Sequence, residues 1–349
     1  MRSFQFDRGY RQLMTADIVL DMAQIHEHKG AQRWYLKSSE NILPKLSIDA
    51  LKHSIEAACF LENMTVPVER LNKLAKDKAS LLNDTERYIA GYRDAVLMIN
   101  LEHDYIEINY EVVLQNLSAL YKFVGGNTCG VIKSHSQTIC FGDAGERFET
   151  ISAWEAQEAL SKLCREFCEA SSGGEMDPLL LVPMFALDFL CIQPFAEMNY
   201  SVCLLLVRLL LLKAGYGVEE FFCLEKLIPL RMEACREAFR LSTKGWHEGE
   251  NDYGPFVRIF LGLLRTAYEE LEYQAGFVCA DDAKTPDRIR RILRETDGSV
   301  TKMQLVELCK DLSAITVQRA LIELQKSGEV KKISGGRYTA YTWNRNRDL

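Results

Sequence analysis

The chain has 349 residues, which is too long for one small domain and predicts two or three. Hydrophobic residues make up 48% of it, enough for a sizeable core, so a globally disordered chain is excluded. The net charge of −7 is uneven, because residues 284–349 hold 14 Lys and Arg against 8 Asp and Glu while the preceding part is acidic. A polyanionic partner is therefore expected to bind the C-terminal segment.

Several features predict a cytoplasmic protein without a membrane segment. The first residues, MRSFQFDRGYRQL, are charged and do not resemble a signal peptide. The most apolar run, residues 202–212, is shorter than the roughly 20 residues that a membrane-spanning helix needs. The eleven cysteines include no C-x-x-C pair, which favours buried free thiols over disulfides or a zinc site.

Apolar residues recur at spacings of three and four through most of the chain, a pattern typical of amphipathic helices. The predicted helices lie near residues 15–29, 47–62, 67–79, 84–101, 108–123, 153–170, 177–191, 199–214, 224–228, 231–242 and 253–274. A different pattern occurs at 125–148, where apolar and polar residues alternate around Ser134-His135-Ser136. This alternation predicts a β-hairpin centred on those three residues, and a loop is the alternative interpretation.

The helical pattern stops near residues 280–283, and Pro286 begins a new one, which indicates a domain boundary. We expect an N-terminal helical region at 1–100, a core domain at 101–280 and a small C-terminal domain at 284–349.

The most informative stretch is residues 178–217, in which two apolar helices flank the segment QPFAEMNYSVCL. It resembles the Fic family, whose members carry H-P-F-x-[DE]-G-N-G-R-x-x-R between two such helices. The residues that match this motif are Pro194, Phe195, Glu197 and Asn199. The residues that depart from it are Gln193 at the catalytic histidine, Met198 and Tyr200 at the two glycines, and Ser201 and Leu204 at the two arginines.

The resemblance extends over most of residues 10–275. The segments LLKAGYGVEEFFCLEKLI and STKGWHEGENDYGPFVRIFLGLL resemble the helices that follow the motif in the family. Upstream, CFLENMTVPVERL resembles the segment with the inhibitory helix, [ST]-x-x-x-E-[GN]; Glu62 and Asn63 match it, and Ala58 replaces the Ser or Thr. The predicted hairpin lies where the family has its target-docking flap, to which we assign Val131, Ile132 and Lys133. The resemblance implies a mainly α fold, a Fic-type helical bundle with a small β-hairpin flap.

Fic enzymes transfer AMP, or another phosphate-containing group, from a nucleotide to a hydroxyl of a target protein. Gln193 has no titratable proton acceptor and cannot serve as the general base of this reaction. Met198 and Tyr200 add bulk where glycines would let backbone N–H groups approach the phosphates. Because both arginines that would hold the phosphates are also replaced, AMP transfer should be negligible.

The same substitutions affect the predicted cofactors and the inhibitory helix. No cofactor is expected; ATP and Mg²⁺ would bind if family activity remained, with Glu197 as the one carboxylate in the loop to hold the metal. Leu204 removes the arginine that pairs with the inhibitory glutamate in the family. We therefore expect Glu62 either to point to solvent or to find a cation elsewhere, and the inhibitory switch to be relaxed.

The C-terminal segment predicts a winged helix-turn-helix. Its pattern is three helices, at 285–296, 301–309 and 313–327, followed by two strands around Ser334-Gly335-Gly336. The residues in position to contact nucleic acid are Thr316, Gln318 and Arg319 on the third helix and Lys331, Lys332 and Arg337 in the wing. Winged helices also serve as protein-docking or dimerisation modules, so this alternative stays open.

The sequence therefore predicts a Fic-type pseudoenzyme that acts as a binding or regulatory module. One alternative is an active nucleotidyl- or phosphate-group transferase with non-standard residues. Another is a DNA-binding transcriptional regulator that uses the winged helix. The expected partners are a protein target at the flap and nucleic acid at the winged helix, with a homodimer as a further alternative.

Overall fold

The computed structural model describes residues 4, 6–38, 42–76, 80–122, 131–141, 146–278, 286, 289–290, 292–293, 299–308, 313–333 and 339–344. The chain divides into two compact units. One consists of residues 1–36 and 40–272, and the other of residues 37–39 and 273–349. Among the described helices, none combines the length and the hydropathy needed to cross a membrane.

The part of the chain before residue 279 is mainly helical. Its helices are α1 (Phe6–Leu13), α2 (Ala16–Ser38), α3 (Leu43–Leu61), α4 (Val68–Leu74), α5 (Asp84–Glu102), α6 (Tyr110–Tyr121), α7 (Ala156–Ser172), α8 (Pro178–Ile192), α9 (Asn199–Lys213), α10 (Met232–Ser242) and α11 (Gly254–Val278). Short 3₁₀ turns lie at His103–Tyr105, Gly217–Glu220, Leu224–Leu227 and Pro229–Arg231. Several details differ from the predicted helices: α1 was not predicted, α2 continues to Ser38 beyond the predicted end at residue 29, α4 ends at Leu74, and the segment near 224–228 forms a 3₁₀ turn.

Local sequence explains where several of these helices begin. The side chains of Asn83 and Asn109 accept hydrogen bonds from the backbone N–H groups of Glu86 and Val112, each 2.9 Å away, at the starts of α5 and α6. Asp177 does the same for α8, with Leu179 N at 2.9 Å. Such caps satisfy backbone donors that the first helical turn leaves without partners.

The antiparallel pair α8 and α9 forms the centre of the larger unit. Both helices are apolar on every side, which is typical of helices that are buried all round. They pack against each other, while α7 covers α8 and α3, α5 and α6 cover α9. The loop between α8 and α9 is thereby fixed by two rigid, buried helices.

A buried carboxylate ties α8 to the downstream segments that resemble the family. Asp188 is fully buried and accepts hydrogen bonds from Trp246 Nε1 at 2.7 Å and from the Tyr253 hydroxyl at 2.8 Å. A buried carboxylate requires such donors, because its desolvation would otherwise be costly. These two hydrogen bonds hold the segment around Trp246 against α8.

The β-hairpin lies further along the chain than the alternation predicted. Strands β1 (Thr138–Phe141) and β2 (Glu146–Glu149) pair antiparallel, with Ile139 opposite Phe148. Placing the turn of the hairpin at Ser134-His135-Ser136 was wrong, since these residues precede β1. The reason is that Ile132 pairs with Phe195 rather than with the hairpin, and alternation alone does not identify the partner of a strand.

The smaller unit contains helices α12 (Lys302–Leu308) and α13 (Ala314–Lys326) with strands β3 (Val300–Thr301), β4 (Val330–Lys332) and β5 (Ala340–Trp343). The strands form an antiparallel sheet in the order β3-β5-β4. A separate apolar core, which includes Leu305, Val317, Leu321 and Tyr341, holds these elements together. The predicted helix at 285–296 lies largely outside the described residues, as does the predicted turn with Arg337.

Candidate functional site

The loop between α8 and α9 is built on two residues with positive φ. Gln193, directly after α8, adopts φ 39° and ψ 71°, and Met198, directly before α9, adopts φ 63° and ψ 24°. The left-handed region costs a residue with a side chain roughly 1–2 kcal/mol, and glycine avoids that cost. Met198 therefore adopts a left-handed backbone conformation that glycine, which is absent here, would adopt without this cost.

Asn199 fixes the shape of this loop from the first turn of α9. Its Oδ1 accepts a hydrogen bond from Phe195 N at 3.1 Å, and its Nδ2 donates to Phe195 O at 2.8 Å. The Phe195 side chain is only 1% exposed and anchors the loop in the core. Asn199 and Phe195, two of the residues that match the motif, therefore hold the loop in its conformation.

The predicted flap residues lie directly beside the loop. Ile132 forms a β-bridge with Phe195, and Lys133 N donates to Pro194 O at 3.0 Å. The Lys133 ammonium is buried and donates to Ile192 O at 2.6 Å and to Thr150 Oγ1 at 2.8 Å, so it joins the end of α8 to the residue after β2. Burial lowers the pKa of Lys133 to about 8. Val131 is half exposed, whereas Ile132 and Lys133 are held in place by the β-bridge, by core packing and by buried hydrogen bonds.

Glu62 has a partner that the sequence did not predict. Its Oε1 accepts hydrogen bonds from Ser201 N at 2.9 Å and from Ser201 Oγ at 2.8 Å. The Tyr88 hydroxyl lies 2.6 Å from the same Ser201 Oγ and extends the chain of polar contacts into the core. Both predicted outcomes, Glu62 in solvent or beside a cation, are therefore wrong.

The physical reason is the N-terminus of α9. The first N–H groups of a helix have no partner within the helix and carry a partial positive charge, so they can stabilise a carboxylate without any arginine. Burial raises the pKa of Glu62, and the hydrogen bonds from Ser201 and from the Tyr200 backbone oppose that rise. The neighbouring residue Ala58 is completely buried and offers no polar group.

Tyr200 and Leu204, two further replaced positions, place their side chains at the start of α9. Tyr200 is mostly buried, which raises its pKa, and a side-chain hydrogen bond with Gln193 opposes that rise. Leu204, one turn further along α9, is 8% exposed. The hydrogen-bonded amide of Gln193 and phenol of Tyr200, together with the alkyl side chain of Leu204, therefore occupy this part of the site.

Comparison with solved structures identifies this architecture, whereas no family model and no curated protein sequence matches the chain. A Fic family protein from Desulfovibrio desulfuricans G20 has a TM-score of 0.61 at 18% identity, over 95% of this chain and 97% of its own. A Fic domain containing signaling protein from Bacteroides thetaiotaomicron VPI-5482 has a TM-score of 0.61 at 15% identity, over 72% of this chain and 98% of its own. Fic-1 from C. elegans has a TM-score of 0.56 at 12% identity, over 74% of each chain.

The chain has the Fic fold. The predicted mainly α helical bundle with a small hairpin is confirmed.

A large cleft adjoins the loop of this Fic fold. Its volume is about 1300 Å³, and its walls come from the end of α3 and the residues after it, residues 135–141, the loop, the 3₁₀ turn near 224–228, and helices α8 to α11. Among the described residues that line it, the acidic and basic side chains are those of Glu62, Glu197, Glu225, His135 and Arg236. Most of the other described lining residues are apolar.

The residues of the cleft do not fit ATP with Mg²⁺. The helix N-terminus, where phosphate would bind, already binds the Glu62 carboxylate, and a second carboxylate, Glu197, also lines the cleft. Glu197 is exposed in the loop, and the described residues contain no group of three or more His, Cys, Asp or Glu that could hold a metal ion. The negative charges of a triphosphate would therefore lie beside carboxylates, at a place where it needs cations or hydrogen-bond donors.

A buried charged cluster that was not predicted from the sequence adjoins the cleft through Glu225. Arg208 is 1% exposed; its Nη2 lies 3.1 Å from Glu219 Oε2, and its Nη1 donates to Glu219 O at 2.8 Å. Glu225, also buried, accepts a hydrogen bond from Cys223 Sγ at 2.9 Å. Burial raises the pKa of Glu219, and the nearby Glu225 raises it further. The signal in the sequence was the single arginine within the apolar run of α9.

The residues proposed for nucleic-acid binding lie in the smaller unit. Arg319 is exposed on α13, while Thr316 and Gln318 are half-buried. Lys331 and Lys332 are exposed on β4. The outer face of α13 also exposes Ile315 and Ile322, so it is less polar than the sequence alone indicated.

Proposed function

We propose that this protein is a Fic family member without AMP-transferase activity, which acts as a binding or regulatory module. The observation that carries the proposal is the contact of Glu62 with Ser201 N and Oγ. It fills the helix N-terminus at which a Fic enzyme would hold phosphates.

Two further features support the loss of AMP transfer. Gln193 cannot accept a proton from a target hydroxyl, and loss of a general base costs about 10²–10⁴ in rate. Loss of a preorganised charge-stabilising donor costs another ~10²–10³, although such effects are not strictly additive. Because Leu204 and Ser201 replace both arginines, no charged donor of the motif remains to offset these losses.

The proposal is tested by incubating the full chain with Mg²⁺ and ATP that carries a label on the α-phosphate. We expect no labelled protein, either with the wild-type chain or with added cell lysate as a source of targets. The Gln193→His variant should also stay unlabelled, because the base alone does not free the phosphate site. Labelling of the wild type that disappears in Glu197→Ala would contradict the proposal and favour a transferase that uses the loop carboxylate.

A second candidate function concerns the smaller unit. We propose that it is a winged helix that binds nucleic acid through α13 and the strands that follow. Two helices with a three-stranded antiparallel sheet and the exposed Arg319, Lys331 and Lys332 support this proposal.

A gel shift on random duplex DNA at increasing salt tests this second candidate. Binding through phosphate contacts should weaken steeply with salt, and Lys331→Gln should reduce the slope by about one ion. Absence of any shift at low salt would rule it out. The exposed isoleucines Ile315 and Ile322 would then favour a protein partner.

A further inference from the structure

The cleft beside the loop is large, and three of its helices give it an apolar wall. Its volume of about 1300 Å³ exceeds the range of roughly 300–1,000 Å³ that is typical of small-molecule sites. The apolar side chains that α9, α10 and α11 contribute to the lining include Leu204, Val207, Cys235, Phe239, Ile259 and Phe260. Such a wall favours a ligand with an apolar body, because burial of apolar surface is favourable.

A second part of the lining is polar but uncharged, and it lies at the loop. Gln137 Nε2 donates to Phe195 O at 3.1 Å and to Ala196 O at 2.9 Å, so this amide is fixed on the loop backbone. The Gln193 side chain is only 6% exposed, lines the cleft and forms a hydrogen bond with the Tyr200 phenol. An amide and a phenol each form more than one hydrogen bond, so this pair can bind a further polar group while it keeps its own contact.

The carboxylates and the arginine of the lining already have partners. Glu62 is bound at the start of α9, and Glu225 lies in the buried cluster beside the charge of Arg208. Arg236 Nη1 lies 3.4 Å from a carboxylate oxygen one turn earlier on α10, and Glu197 also takes part in an interaction. A charged ligand would therefore lose its hydration in this cleft without gaining a counter-charge of its own, which is costly for either sign.

We propose that the cleft binds an uncharged amphiphilic small molecule, with an apolar body and a hydroxyl or amide head group. The body lies against the apolar wall of α9, α10 and α11, and the head group forms hydrogen bonds with Gln193 and Tyr200. This inference rests on the proposed function, in which the cleft no longer holds a nucleotide. Ligands of the same shape with a positive or a negative charge bind more weakly.

Three probes that share one body and differ in charge test the proposal: 4-phenylbutan-1-ol, 4-phenylbutylamine and 4-phenylbutyrate. Their affinities for the full chain are measured by displacement of the neutral fluorescent reporter N-phenyl-1-naphthylamine at about pH 7, where the amine is protonated and the acid is ionised. We expect the alcohol to bind at least about tenfold more tightly than both the amine and the acid. An amine or an acid that binds as tightly as the alcohol, or a reporter that does not bind, would overturn the proposal.

The variant Tyr200→Phe tests the head-group contact. It removes one hydroxyl and should weaken binding of the alcohol by roughly three- to tenfold, while binding of toluene, which has no polar group, stays unchanged. The matched control is Tyr105→Phe, because Tyr105 is 85% exposed and does not line the cleft. If Tyr200→Phe leaves the affinity for the alcohol unchanged, the head group is assigned wrongly and the proposal fails.

Two further variants locate the apolar body. Cys235→Trp and, independently, Ile259→Trp enlarge half-buried side chains of the apolar wall and should weaken binding of the reporter and of toluene. Circular dichroism spectra that match the wild type show that each variant is folded. Undiminished binding in both folded variants would place the ligand outside the cleft and overturn the proposal.

The outcome is independent of the test for AMP transfer. Transfer of label from ATP would contradict the proposed function even if the alcohol binds. Failure of the probe series with no transfer of label would contradict the ligand class alone.

Discussion

At the residue scale, the replaced motif positions of this Fic fold form new contacts with each other. Ser201 stands where the family motif has an arginine, and it binds Glu62 and Tyr88. The Glu62 carboxylate is thereby held by a hydroxyl and a helix N-terminus, while Leu204 takes the position of the arginine with which it was expected to pair. The identity of the replaced positions could be predicted from the sequence, but the partner of Glu62 could not. That contact joins residues 139 positions apart and depends on a backbone N–H group, which leaves no trace in a sequence motif.

Glu62→Gln should make stability less dependent on pH. Burial raises the folded-state pKa of Glu62 above its usual 4.5, so the folded state binds the proton more tightly than the unfolded state does. The stabilisation from this proton is complete below about pH 4.5 and is lost as pH rises through the folded-state value. The variant should therefore gain stability relative to the wild type as pH rises from 4.5 through the folded-state value, as measured by urea unfolding at each pH. A difference that stays constant over this range would contradict the prediction.

Arg208→Met should be strongly destabilising. It removes the cation that neutralises a buried pair of carboxyl groups, Glu219 and Glu225, and breaking one side of a buried ion pair typically costs about 3–5 kcal/mol. Urea unfolding of the larger unit measures the loss. The control is Arg87→Gln, an exposed pair with Asp84 that should change stability by less than about 1 kcal/mol.

At the element scale, most helices were predictable, because an amphipathic helix carries a periodic apolar pattern. The eight-residue α1 was missed, because it is too short to show a sustained repeat. The position of the hairpin was not, since residues 131–133 and 138–141 both alternate but pair with different partners. Ile132 pairs with Phe195, which lies beyond two intervening helices. The partner of Ile132, and with it the position of the hairpin, could be found only from the three-dimensional structure.

Lys133→Met should loosen the hairpin from the end of α8. The variant removes hydrogen bonds from the ammonium group to Ile192 O and Thr150 Oγ1, and leaving a buried carbonyl without its donor costs about 1–3 kcal/mol. Amide hydrogen exchange of β1 and β2 should become faster, while exchange in α8 and α9 should change little. Unchanged exchange in both strands would show that the lysine does not hold the hairpin.

The lowered pKa of Lys133 gives this contact a pH signature. Between about pH 8 and pH 10.5 the unfolded chain holds the proton and the folded chain releases it, so the wild type should gain stability with rising pH relative to Lys133→Met. Below pH 8 both states are protonated and the difference between the two proteins should be constant.

At the scale of the whole molecule, the two units have separate apolar cores. We expect calorimetry to resolve two unfolding transitions, since each core is disrupted on its own. Leu321→Ala should lower the stability of the smaller unit by about 2–5 kcal/mol and leave the other transition in place. A single transition that shifts as a whole would contradict this expectation.

The central claim is that the Glu62 carboxylate occupies the phosphate position at the start of α9. The most direct test is a crystal structure of the full chain grown with an excess of ATP and Mg²⁺. We predict that Glu62 Oε1 remains on Ser201 N and that no polyphosphate lies beside Met198 and Tyr200. Electron density for a triphosphate on the N–H groups of Tyr200 and Ser201, with a metal ion on Glu197 and Glu62 displaced, would contradict the account.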